Sequence, residues 1–129
     1  MPANSTIPPA GSGVPPATGN GEPDPGPCRI HEAECAGGPS GLVEKGAEIG
    51  FAAGVARRHT GKDVVVCGDD EDANRRLAGD IETAVGPRTR PQPPERRAGP
   101  RALPHYHQKS RNPPGHAFYE TKKRKAKAK

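Results

Sequence analysis

Proline and glycine crowd two stretches, residues 1–27 and 86–104, so densely that unbroken backbone hydrogen bonding has room only between and after them. The first stretch reads MPANSTIPPAGSGVPPATGNGEPDPGP and offers only Ile7 and Val14 for packing. Proline lacks the N–H that a helix or sheet ladder requires, and glycine maximises the backbone freedom lost on ordering. The 129 residues include 17 Gly and 17 Pro, with 3% aromatics and 30% apolar residues. A globular domain usually carries roughly 45–50% apolar residues with Gly included. Most of the chain therefore buries too little apolar surface to repay the entropy of ordering. The expectation is one module of fewer than about 80 residues, of marginal stability unless a partner, metal or oligomer assists it. We place that module at residues 42–119, after a disordered Pro/Gly-rich linker at 1–41 and before a basic disordered tail at 120–129.

Within the module the apolar spacing sets the elements. Val43, Ala47, Phe51 and Val55 recur every four residues beside a stripe of Gly46, Gly50 and Gly54, which predicts a helix over Leu42–His59. A strand over EIGFAAGVA is the competing reading. Asp63-Val64-Val65-Val66-Cys67 between Gly61 and Gly68 predicts a buried strand. A second helix follows over Asp70–Val85, with Asp69 or Asp70 as N-cap, Glu71 and Asp72 favourable to the helix dipole, and Gly86-Pro87 as the stop. The acidic cluster is read as capping rather than as a cation site. The Pro/Arg-rich stretch from Gly86 to Pro104 is long enough to be functional or disordered. PHYH and GHAFYE then predict a pair of strands through Tyr106, Phe118 and Tyr119. The fold class is a small α+β module: helix, strand, helix and a C-terminal strand pair, flanked by disordered tails.

Charge narrows the partners. The net charge is +5, yet from Arg101 to Lys129 nine Lys or Arg side chains face one acid, Glu120. Such asymmetry favours an anionic partner, nucleic acid first, with Arg101, Lys109, Arg111, Lys122, Lys123, Arg124 and Lys125 as candidate contacts. A solubilising tail is the plain alternative. No apolar run approaches the ~20 residues that span a bilayer, and the N-terminus has neither the basic start nor the apolar stretch of an export signal. A soluble chain is expected. Cys28, Cys35 and Cys67 are odd in number, which argues against a disulfide framework and for a reducing compartment. Cys28, His31 and Cys35 lack both a C-x-x-C knuckle and a fourth ligand, so no structural metal is assigned.

The chemistry concentrates in His105, His107 and His116. In an extended PHYH the first two share a face, and a turn through Ser110–Gly115 returns His116 beside them. Imidazoles exchange protons near neutral pH, and Lys109, Arg111, Arg101, Arg96 and Arg97 lie close in sequence to hold phosphate. That combination suits metal-independent cleavage of RNA, with the three histidines as catalytic candidates and no cofactor. An H-x-H pair with a third histidine also suits a transition metal, and three polar histidines on a surface loop are the bland reading.

The succession DVVVCGDDEDANRRLAGDIETAVG, a Pro/Arg segment, and AGPRALPHYHQKSRNPPGHAFYE resembles the C-terminal tip modules of bacterial polymorphic toxins, including those ending rearrangement-hotspot (Rhs) proteins. The likeness runs from about Asp63 to Tyr119, and its specific part is the His107/His116 spacing with its aromatics. It implies a toxin tip that cleaves nucleic acid, a cognate immunity protein as partner, and either a cytoplasmic location or delivery within a larger secreted toxin. The alternative class is a non-catalytic basic module that binds nucleic acid or protein.

Overall fold

The β-branched run forms a strand, Val64–Cys67 (β3), with all four residues buried, and the molecule is assembled around it. The computed structural model describes residues 28–35, 43–94 and 102–128. Along the chain come β1 (Arg29–Cys35), β2 (Val43–Ile49), α1 (Phe51–His59), β3, α2 (Glu71–Val85), β4 (His105–Tyr106), β5 (Ala117–Tyr119) and β6 (Lys127–Ala128). The strands make one mixed sheet in the order β4-β5-β3-β1-β2-β6. Strand β1 is antiparallel to β2 and β3, β4 is antiparallel to β5, and both β3–β5 and β2–β6 are parallel. The described residues thus form a small α+β domain with two helices.

Alternation of side chains along the strands produces two apolar layers. On one face Cys28, Ile30, Val64, Val66, Ala117 and Tyr119 meet Leu77, Ala78 and Ile81 of α2, with Phe51 and Val55 of α1 packed alongside. On the other, Ala33, Val43, Val65, Cys67 and Phe118 are covered by Leu103 and Ala126. Helix α2 follows its sequence signals. The Asp70 carboxylate accepts the Ala73 N–H at 3.1 Å, and the Gly86 N–H closes the last turn on the Glu82 carbonyl at 3.0 Å.

Three boundaries differ from expectation. Residues 28–35, assigned to the linker, supply an interior strand paired on both sides; residues 1–27 lie outside the described residues. Strand β1 has little local signal because its stabilisation comes from ladder partners distant in sequence. Residues 43–49, expected as helix, form β2, and the four-residue glycine stripe falls in three different settings. Gly46 sits where the β1–β2 register shifts, and a Cβ there would lie 3.2 Å from the Glu32 carbonyl oxygen. Gly50 is the N-cap of α1, and Gly54 faces Ile30 and Ile81, where a Cβ would make ordinary contacts of 3.4 and 3.9 Å.

The third boundary is the C-terminal one. The stretch assigned as a disordered tail returns to the sheet, where Lys127 and Ala128 pair with Glu44 and Lys45. Glu120 is only 4% exposed. Its carboxylate accepts the N–H groups of Gly68 at 3.2 Å and Ala126 at 2.9 Å. The single acid in the basic stretch is therefore its anchor. The Pro/Arg connection is also partly built in. The Thr89 and Gln92 N–H groups donate to the His107 and His105 carbonyls at 2.9 and 2.7 Å, while residues 95–101 lie outside the described residues. Among the described residues no helix is long and apolar enough to cross a membrane.

Candidate active site

The expected strand pair exists, and it gathers the histidines. His105 lies opposite Phe118 in the β4–β5 register, which places both on the face away from the helices. Alternation then carries His107, two residues on, and His116, two residues before Phe118, to that same side. Ring centroids are 4.7 Å apart for His105 and His116, and 6.1 Å for both His105–His107 and His107–His116. The Phe118 ring floors the group at 5.2 Å from His116 and 5.6 Å from His105.

Each ring has a different environment. The Nδ1 of His107 stands 2.9 Å from the Gln108 carbonyl, which can only accept, so Nδ1 carries the proton and Nε2 is the proton-accepting nitrogen of the neutral ring. His116 is set by Asp63. One Asp63 carboxylate oxygen accepts the His116 backbone N–H at 2.7 Å and stands 3.7 Å from its Nδ1, a charge contact longer than a hydrogen bond. Parallel pairing of β3 and β5 creates this neighbour, since Asp63 and His116 precede the paired residues Val64 and Ala117.

His105 is the odd ring. Its Nδ1 is buried without a hydrogen-bond partner. Burial first, then the charge of His116, push its pKa down to about 4; the Leu103 backbone opposes this, and His107 and Arg111 add smaller downward effects. His105 is therefore uncharged at neutral pH.

Of the candidate cations, Lys109 and Arg111 occupy the tight turn after His107 and are exposed. Arg111 adopts φ 62, and its N–H donates to the Gln108 carbonyl at 3.1 Å. Arg101, Arg96 and Arg97 lie outside the described residues. Lys122, Lys123, Arg124 and Lys125 follow the opposite end of β5, roughly 15 Å from His116 by strand rise, and do not join the histidines. Lys122 and Lys123 are exposed; Arg124 is half-buried and donates to the Ala102 carbonyl at 2.9 Å, and Lys125 reaches the Gly68 carbonyl at 3.3 Å.

Among the described residues no group of three His, Cys, Asp or Glu side chains is arranged to hold a metal ion. Cys28 lies in the helix-side core, whereas His31, an odd number of residues on, faces the other side and bonds the Gly46 carbonyl at 3.0 Å.

Sequence reading overlooked Asp63 and Gln108 as site residues. Asp63 is 53 residues from His116, and no local spacing signals it. Gln108 directly follows the PHYH motif, and its amide points into the interior, where only tertiary packing supplies its partner. No protein-family model, curated protein or solved structure matches the chain.

Proposed function

We propose that this chain is a metal-independent, RNA-cleaving module of the polymorphic-toxin tip type. The observation that carries the reading is the convergence of His105, His107 and His116 on one sheet face beside Asp63, with the exposed Lys109 and Arg111 following His107 in the chain. Phosphodiester cleavage by this class needs two proton transfers. His107 Nε2 takes the proton from the ribose 2′-hydroxyl as its oxygen bonds to phosphorus, and His116, when protonated, delivers a proton to the departing 5′-oxygen. The products are a 2′,3′-cyclic phosphate and a 5′-hydroxyl, so atoms and charge balance. Lys109 and Arg111 offset charge building on the phosphoryl oxygens. His105 stays neutral, which keeps three adjacent rings from accumulating three positive charges. The toxin resemblance adds a cognate immunity protein as the expected partner.

RNA turnover measured with chelator present tests this. His107→Ala and His116→Ala are expected to lower the rate by roughly 10²–10⁴-fold with little change in RNA affinity. Absence of turnover by the wild type, or cleavage that survives loss of all three histidines, defeats the reading. The exposed Lys122 and Lys123 favour the second reading, a basic binding module without catalysis; RNA binding with no turnover would select it.

A further inference from the structure

We propose that Gln108, anchored on the buried Arg58–Glu82 ion pair, is a positioning residue that holds His107 in one tautomer. The inference rests on the histidine site proposed above. Gln108 is only 2% exposed, and its amide Nε2 donates to the Glu82 carboxylate at 2.8 Å and to the Glu82 backbone carbonyl at 2.9 Å. The backbone carbonyl of this clamped residue accepts both His107 Nδ1 and the Arg111 N–H. Space for the amide is kept by Gly86, where a Cβ would stand 2.7 Å from Gln108 Oε1.

The same ion pair reaches the other end of the loop. Arg58 binds the Glu82 carboxylate and donates to the Lys62 carbonyl at 3.1 Å and the Pro114 carbonyl at 2.8 Å. Gly115 follows with φ +97, a conformation that favours glycine. A Cβ there would fall 2.8 Å from Arg58 Nη1 and 2.9 Å from the Asp63 oxygen that holds His116. One wholly buried ion pair thus fixes both ends of the loop between two histidines. Buried ion pairs are poor stabilising devices compared with apolar packing of equal volume, because desolvation consumes most of the Coulombic gain. Placing one here is understandable if the return is loop geometry rather than stability.

The test is Gln108→Met, which keeps side-chain length and leaves Glu82 paired with Arg58, with Gln108→Asn, too short to reach Glu82, as the second variant. Nitrogen-15 NMR of the imidazoles reads the His107 tautomer directly. The wild type is expected to show neutral His107 protonated at Nδ1, and the variants a mixture with the Nε2-protonated form. RNA turnover should fall about 10- to 100-fold in kcat with KM nearly unchanged, the scale of a lost alignment. Unchanged His107 nitrogen shifts in a folded variant overturn the proposal. Loss of the folded state in both variants also overturns it, by making Gln108 a residue of the fold. If the wild type turns over no RNA, the shifts still decide: a changed tautomer keeps the positioning role while the ribonuclease reading falls.

Discussion

Glu82→Leu removes the carboxylate from a side chain with no exposed surface and leaves the equally buried Arg58 guanidinium without a counter-charge. Breaking a buried pair from one side costs about 3–5 kcal/mol, since the remaining charge has lost both water and partner. Gln108 contributes little to that figure, because its amide keeps the Glu82 backbone carbonyl at 2.9 Å. Small domains have roughly 5–15 kcal/mol of stability in total, so the variant should be near its unfolding threshold. Combining Glu82→Leu with Arg58→Met removes the orphaned charge. It also strips the Lys62 and Pro114 carbonyls of a donor, but both residues are exposed and water can take its place, so the cost is only about 0.5–1.5 kcal/mol each. The double variant should therefore recover part of the loss and remain below the wild type. Urea unfolding followed by far-ultraviolet circular dichroism reads all three, with a slope of roughly 1–3 kcal/mol per molar. A single variant within about 1 kcal/mol of the wild type, or a double no more stable than the single, refutes the ion-pair argument.

Other expectations follow from the same geometry. Leu77→Asp places a carboxylate among the apolar side chains between α2 and the sheet, at a cost of several kcal/mol, and should abolish cooperative thermal unfolding; an unchanged melt would mean that α2 packs otherwise. His105 binds a proton less readily folded than unfolded, so its contribution is fully present above about pH 6.5 and is lost as pH falls toward about 4. Allowing for its partial exposure, that loss is on the order of 1–3 kcal/mol, and His105→Leu should flatten stability between those pH values. Lys122→Gln with Lys123→Gln should reduce the slope of log affinity for single-stranded RNA against log salt by about 1–1.5. These two charges are exposed, whereas deleting 122–129 would also remove Ala126 from the core and β6 from the sheet; an unchanged slope removes the lysines from the interface.

Local chemistry was enough to read the centre of the molecule. A β-branched run flanked by glycines and a capped, 3.6-periodic segment ending in Gly-Pro specify β3 and α2, because their signals are written within a few residues. The histidines are legible in the same way: period-two alternation and one return turn bring His105, His107 and His116 to one face without reference to a distant strand. What the sequence left open depends on contacts between distant segments. Strand β1 exists because β2 and β3 pair with it, and Gly46 belongs to a strand because a register shift against β1 needs the missing side chain. Glu120 turns an apparent tail into a crossing segment by accepting the N–H groups of Gly68 and Ala126, the former 52 residues away. Asp63 meets His116, and Glu82 meets Arg58 and Gln108, only once parallel pairing and helix packing have closed separations of 24 to 53 residues. Periodicity records which face a side chain occupies, but the partner it meets there is decided by tertiary structure.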